Sequence, residues 1–351
     1  MKNNYVVIMA GGIGSRFWPM STASYPKQFH DILGTGRTLI QLTVDRYEKV
    51  CPKENIFIVT NSQYKSLVKE QLPELKDEQI LLEPSRKNTA PCIAYAAYKI
   101  HAINPDAKMV VAPSDHIIMK QDAFETTLET ALEKASENCL ITIGIKPSRP
   151  DTGYGYIQFE ESDDARGIRK VKTFTEKPNL DLAKRFLDSG DFYWNSGMFV
   201  WSAKSIISEF KCHLPELDAL FSEGNESYNT DQEADFIGRI YPMCKNISID
   251  YGIMEKADQV FVILADLGWS DLGTWGSLYT HLEQDENRNA TIGKGVHTFD
   301  CNDNVIMMPE GKTVVLQGLN DYIVVESQGT LLVCKKQDEQ KIKQMVNSLK
   351  G

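Results

Sequence analysis

Over the first 145 residues, short β-branched runs alternate with segments of helical period, and this alternation restricts the fold more than any other feature of the chain. Residues 5–10, 55–60, 80–83, 109–112 and 140–145 read as strands, with helices at 39–50, 62–72, 90–102 and 123–135. Strand-helix alternation predicts a mostly parallel sheet covered by helices on both faces, with ligands taken up where the chain leaves the carboxyl ends of strands. Beyond residue 151, longer extended stretches at 154–159, 169–174 and 193–201, with helices at 180–187 and 203–210, predict an insertion that continues the sheet and adds a second wall. A polar stretch, 283–289, then precedes short strands at 304–308, 313–316, 322–326 and 330–334 and an amphipathic helix at 338–349. The expected division is a catalytic domain of residues 1–282 and a small β-rich domain of residues 283–351 that ends in a helix.

The formal net charge of −10 argues against a broad nucleic-acid surface or binding to anionic membranes. No apolar stretch is long enough to cross a bilayer, and the N-terminus lacks the h-region and cleavage site of a signal peptide. The seven cysteines are odd in number, scattered and free of C-x-x-C pairs or zinc spacing, so they read as reduced packing residues of a cytoplasmic protein.

Behind the first strand lies Ala10-Gly11-Gly12-Ile13-Gly14-Ser15-Arg16-Phe17. A dinucleotide fingerprint would need a third glycine where Phe17 stands, and a Walker A loop would need Lys-Ser or Lys-Thr after the glycines. What remains is either a plain strand-to-helix turn or a turn whose backbone N–H groups approach an anion, with Arg16 as a bidentate phosphate ligand. Tyr25-Pro26-Lys27-Gln28-Phe29 favours the second reading, because Pro26 stiffens a loop that can hold Lys27 as a point charge near the same phosphates.

Gly11-Gly12-x-Gly14-x-Arg16-x-Trp18-Pro19-x-Ser21, followed by Pro26-Lys27-Gln28-Phe29, resembles the signature of sugar-1-phosphate nucleotidylyltransferases, and within them the mannose-1-phosphate guanylyltransferase branch. Further landmarks recur in family order across roughly the first 280 residues. The resemblance implies an α/β, Rossmann-like, mostly parallel mixed sheet flanked by helices, of the GT-A-like nucleotide-diphospho-sugar transferase type. It implies transfer of GMP from GTP to mannose 1-phosphate with Arg16 and Lys27 as catalytic residues. Ala10, Gly11, Gly12, Gly14, Ser15 and Ser114 are then expected against the nucleotide.

Leu82-Glu83-Pro84-Ser85-Arg86-Lys87-Asn88-Thr89 resembles the segment that wraps the base. Glu83 can accept from the N1–H and exocyclic amine of guanine, or it can cap the helix that starts near Asn88. Pro84, Arg86, Asn88 and Thr89 are expected beside it. Pro113-Ser114-Asp115-His116 and Gly268-Trp269-Ser270-Asp271 resemble the two metal-binding segments, so Asp115 and Asp271 are expected to hold Mg²⁺, which takes one or two carboxylates and leaves its other positions to water and phosphate. Each aspartate alone also reads as a cap or an ion-pair partner.

Thr152-Gly153-Tyr154-Gly155-Tyr156, Thr175-Glu176-Lys177-Pro178 and Trp194-Asn195-Ser196-Gly197-Met198 resemble the segments that hold the hexose and its phosphate. Glu176 and Asn195 offer acceptors and donors to hydroxyls, Lys177 a cation to the phosphate, and Gly153, Tyr154, Gly155 and Gly197 close backbone approach. Asp250-Tyr251-Gly252-Ile253-Met254-Glu255-Lys256 resembles a landmark of the guanylyl branch to which the residues alone assign no role.

Competing readings are a nucleotidylyltransferase for another base or hexose, a catalytically silent sugar-nucleotide sensor, and a metal-dependent glycosyltransferase. Some similar chains carry a C-terminal cupin-type isomerase domain, for which the sequence leaves no room after Leu349, so a separate isomerase is expected. An apolar face on the β-rich tail is expected to pair two copies as a homodimer.

Overall fold

The computed structural model describes residues 1–135, 138–162, 164 and 166–349. The chain forms two compact units that interleave along the sequence: Met1–Gly11, Thr43–Ser114 and Ile118–Trp269 make the first, and Gly12–Leu42, Asp115–Ile117 and Ser270–Gly351 the second. The packing units thus cut the chain differently from a single boundary near Glu283.

The first unit is built on a nine-stranded sheet. Its strands are β1 (Asn4–Met9), β2 (Ile56–Asn61), β3 (Ile80–Glu83), β4 (Lys108–Pro113), β5 (Leu140–Ile145), β6 (Tyr156–Phe159), β7 (Ile168–Thr175), β8 (Phe192–Ser202) and β9 (Val260–Ala265). They lie in the order β3-β2-β1-β4-β8-β5-β9-β7-β6. Strands β1 to β4 pair in parallel, as do β5 and β9. β8 runs antiparallel to β4, β5 and β6, so the sheet is mixed across its centre. Val6, Val7 and Ile8 of β1 are fully buried, as a strand covered on both faces requires. The insertion beyond residue 151 joins this sheet through β6, β7 and β8.

The helix Thr89–Ile103 is apolar almost all round and sits in the main core beside β1 and β4 side chains. Asn88 starts it, its side chain accepting from the Thr89 N–H at 2.9 Å. β9 and the helices Pro215–Ser222 and Glu233–Ile240 are elements that the sequence pattern did not mark. Among the described residues no helix is long and apolar enough to cross a membrane. None of them forms a disulfide, and six of the seven cysteines are buried.

The second unit carries β10 (Ala290–Ile292), β11 (Val296–Phe299), β12 (Val305–Met307), β13 (Val314–Gln317), β14 (Tyr322–Ser327) and β15 (Thr330–Lys335). β10, β12 and β14 pair in parallel with β15 antiparallel at the edge, while β11 and β13 form a second parallel pair. Alternation sends Val305, Met307, Ile323 and Val325 into one apolar cluster and Ile306 and Val324 into another. Buried Asn304 links successive turns by donating to the Asn289 side chain at 2.8 Å and the Leu319 carbonyl at 2.8 Å. The terminal helix begins at Ile342, after a 3₁₀ turn over Lys336–Lys341, because Ile342 is the first side chain of this segment that the core takes up.

Candidate active site

In the second unit a cavity of about 240 Å³ is lined by Gly14, Ser15, Arg16, Phe17, Lys27, Asp115, His116, Asp271, Leu272 and Gly273. Three distant stretches of sequence therefore deliver their charged side chains to one place. Gly14 has a φ of +67°, and a Cβ there would lie 2.4 Å from the Lys27 Cβ, so both the turn and the crossing lysine require glycine. The loop is tied down by the Lys27 N–H to the Ile13 carbonyl at 3.2 Å and by the Gln28 amide to the Gly12 carbonyl at 3.1 Å.

Lys27 is only 3% exposed. Its ammonium lies 2.8 Å from Asp115 Oδ2 and donates to the Asp271 carbonyl at 2.8 Å and the Leu272 carbonyl at 3.1 Å. An ammonium has three donors, and all three are engaged. The sequence suggests Lys27 as a point charge for phosphate; in the structure the side chain knits the two aspartate loops together. Phe17 supports it from below, with its ring centroid 5.5 Å from Nζ. Burial pushes the Asp115 carboxyl upward, but the Lys27 charge, His116 and the Lys27 bond outweigh it and hold the group below its ordinary value. Asp271 Oδ1 accepts from the Gly273 N–H at 3.0 Å, which closes a turn around Leu272. Leu272 is fully buried yet holds a φ of +44°. Such strain persists only where packing and hydrogen bonds fix the backbone, as core burial and the Lys27 bond do here.

The first unit holds the remaining predicted residues. Ala10 accepts from Thr60 Oγ1 at 2.8 Å, and Ser114 donates its N–H to the Met9 carbonyl at 3.1 Å, which fixes the ends of β1 and β4. Glu83 closes β3 and is buried. Its Oε1 accepts from the Tyr241 hydroxyl, and a Cβ at Gly11 would sit 3.1 Å from its Oε2. Asn88, not Glu83, caps the following helix. Burial raises the Glu83 carboxyl, against the Tyr241 bond and the Arg86 charge. Arg86 donates to the Tyr64 hydroxyl at 2.7 Å, and Thr89 Oγ1 accepts from the Ile249 N–H at 2.8 Å. Pro84 lines a separate, larger cavity of about 870 Å³, which also holds the ion pair of Lys99 and Glu233 at 2.6 Å. Satisfied by Tyr95 and the Asn229 N–H as well, that pair reads as fold architecture.

The hexose-segment residues form one hydrogen-bonded cluster. The Asn195 N–H donates to the Gly155 carbonyl at 2.8 Å, and the Lys177 N–H to the Tyr154 carbonyl at 3.2 Å. A Cβ at Gly155 would lie 2.6 Å from Glu176 Oε2, so only glycine lets this carboxylate approach the turn. Glu176 Oε1 pairs with Lys177 Nζ at 2.5 Å. Asn195 has its amide oriented on both sides: Thr142 Oγ1 donates to Oδ1 at 2.8 Å, and Nδ2 donates to Asp250 Oδ1 at 3.0 Å. The Gly197 N–H donates to Asn195 Oδ1 at 3.2 Å, and the Gly153 N–H to Asp151 Oδ1 at 2.8 Å. Burial, then the neighbouring Glu176 charge, raises the Asp250 carboxyl to about 7. Asp250 thus gains a position that its sequence could not supply. Thr142 and Tyr241 were missed altogether, since a threonine inside a strand and a tyrosine before a proline carry no signal of their own.

Residues 5–288 match the family model described as Nucleotidyl transferase, and residues 298–349 match that of the MannoseP isomerase/GMP-like beta-helix domain. A mannose-1-phosphate guanylyltransferase of Salmonella montevideo is 38% identical over 355 residues, covering 98% of this chain and 73% of that protein. The crystal structure of a mannose-1-phosphate geranyltransferase from Thermus thermophilus matches with a TM-score of 0.90 at 28% identity, covering 99% of this chain and 100% of that one. That of a mannose-6-phosphate isomerase from Helicobacter pylori matches with a TM-score of 0.62 at 29% identity, covering 76% of this chain and 99% of that one. The chain is a member of the nucleotidyl transferase family, similar over nearly its whole length to mannose-1-phosphate guanylyltransferases.

Proposed function

We infer that this enzyme transfers GMP from GTP to α-D-mannose 1-phosphate, giving GDP-mannose and pyrophosphate. Relatives from Salmonella montevideo, Escherichia coli and Klebsiella pneumoniae are named mannose-1-phosphate guanylyltransferase. The observation that carries the mechanism is the cavity shared by Arg16, Lys27, Asp115 and Asp271. The sugar phosphate attacks the α-phosphorus in line. With a second pKa near 6, a phosphate monoester is already anionic at neutral pH, so no general base is needed. Positioning and charge neutralisation then supply the catalysis. Arg16 presents a fork to phosphate oxygens, the glycine loop offers N–H groups, and Lys27 contributes its charge while holding the two aspartate loops in register.

Enzymes of this family use a divalent metal. Asp115 and Asp271 are hard oxygen donors on one cavity. Among the described residues no group of three or more His, Cys, Asp or Glu side chains forms a closed metal cage. That donor set suits Mg²⁺, which keeps positions for water and substrate oxygens. When bound, the ion would neutralise charge on the phosphates.

Glu83 is proposed to read the guanine edge with Oε2, the Tyr241 bond fixing the carboxyl. Pro84, Arg86, Asn88 and Thr89 complete the base segment, and Gly153 to Gly155, Glu176, Lys177, Asn195 and Gly197 hold the hexose phosphate. We also propose that residues 1–282 act as the catalytic domain, which the two family matches support. A cytoplasmic location fits GTP as substrate. A homodimer through the tail draws support from exposed Leu331 and Val333 on β15. Supplying Mg²⁺, mannose 1-phosphate and each nucleoside triphosphate in turn, while following pyrophosphate release, tests the activity. GTP should outrun UTP and dTTP, and faster turnover with either of these would refute the assignment.

A further inference from the structure

Two adjacent residues near the end of the described chain bond to Arg16, which lines the charged cavity, and to the short helix that follows the Asp271 turn. Gln340 Oε1 accepts from Arg16 Nε at 3.2 Å, across 324 residues of sequence. Glu339 Oε2 accepts from the Gly276 N–H at 2.8 Å. Gly276 lies in the first turn of the helix Trp275–Tyr279, which follows the Asp271 turn directly. Behind them the terminal helix enters the same apolar cluster as the cavity's own anchors: Ile342 and Val346 pack with Phe17, Ile117 and Leu272. Phe17 adjoins Arg16, and Leu272 adjoins Asp271.

An arginine side chain has many rotamers, so a guanidinium that is free to swing must be ordered each time phosphate arrives. An acceptor on Nε sets the plane of the group and leaves both terminal nitrogens as a fork for an anion. The helix after the Asp271 turn is short, and an acceptor on its first turn holds that turn in place.

We propose that Glu339 and Gln340 are positioning residues of the phosphate-transfer site, fixing the Arg16 guanidinium and the Asp271 turn before nucleotide binds. This rests on the reading of Arg16 as a triphosphate ligand. It gives the C-terminal segment a part in catalysis, although it contributes no group to the reacting atoms.

The test is steady-state kinetics of Gln340→Ala, Gln340→Glu and Glu339→Ala in the full chain, with KM measured separately for GTP and mannose 1-phosphate, alongside thermal unfolding. One lost hydrogen bond to a charged donor should lower kcat/KM for GTP about 5–10-fold in Gln340→Ala, with KM for mannose 1-phosphate unchanged. Glu339→Ala should act in the same direction, and Gln340→Glu, which keeps an acceptor, should restore most of the loss. Wild-type kinetics in both alanine variants would overturn the proposal, as would equal shifts for both substrates that track a fall in Tm. Arg16→Ala separates the two levels: full activity there refutes the underlying reading, whereas a large loss there with a silent Gln340→Ala refutes only the positioning role.

Discussion

Lys27 and Lys177 each sit against a carboxylate, 2.8 Å from Asp115 and 2.5 Å from Glu176, yet a buried carboxyl in each cluster, Asp115 and Asp250, shifts in the opposite direction. Lys27 is buried among acceptors, and its charge carries Asp115 below its ordinary value despite burial. The Lys177 side chain is 57% exposed, and the buried Asp250 near it faces a second carboxylate, Glu176, and keeps its proton up to about pH 7. Burial acts on both carboxyls; Lys27 and His116 outweigh it at Asp115, whereas the Glu176 charge adds to it at Asp250. The first cluster stays committed to charge, which suits its proposed part in binding phosphate and metal. The second keeps a carboxyl that can donate as well as accept, which suits the hydroxyls of an uncharged ring.

The largest effect should come from Lys27→Met. Loss of a preorganised charge and of the link between two loops should lower kcat by roughly 10²–10³. Thermal unfolding should fall too, because Asp115 loses its partner. Lys177→Met should instead act chiefly on KM for the sugar phosphate; a matching collapse of kcat there would erase the contrast. Next comes Glu83→Gln, which removes a charged acceptor. The ratio of kcat/KM for GTP over UTP should drop about 10–100-fold, and an unchanged ratio would take base reading away from Glu83. Asp271→Asn should raise the Mg²⁺ concentration for half-maximal rate by about tenfold or more, with little change in KM for mannose 1-phosphate.

The smallest effect concerns the pH dependence of stability. Unfolded Asp250 loses its proton near its ordinary value of 3.8, while the folded group keeps it to about 7. Between those values the folded state binds more protons, so this group makes stability fall as pH rises and then level off. Asp250→Asn removes the contribution, so its Tm should decline about 2–4 °C less than that of the wild type between pH 4 and 8. Parallel Tm profiles would mean that the carboxyl ionises normally.

Much of the sheet was legible because β1, β2, β4 and β5 are buried on both faces and read as unbroken apolar runs. β10 and β11 were missed because they have only three and four residues, with half-exposed patterns that resemble loop. Residues whose work is local were readable: Gly14 from its turn, and Asp115 and Asp271 from their motifs. Partnership across distance was not. Nothing about Tyr241, Thr142 or Gln340 in sequence announces that each will meet Glu83, Asn195 or Arg16, because those meetings depend on how the fold returns on itself.

The interleaving of the second unit also bears on synthesis. Its first stretch, Gly12–Leu42, leaves the ribosome early, but the strands and helix it must pack with lie beyond Ser270. Such long sequence separations make closure slow and leave Phe17 and Leu39 without their eventual covering until translation is nearly complete. A nascent chain that stalls before Ile342 would therefore emerge with part of that apolar cluster uncovered, so prematurely terminated products should be sticky.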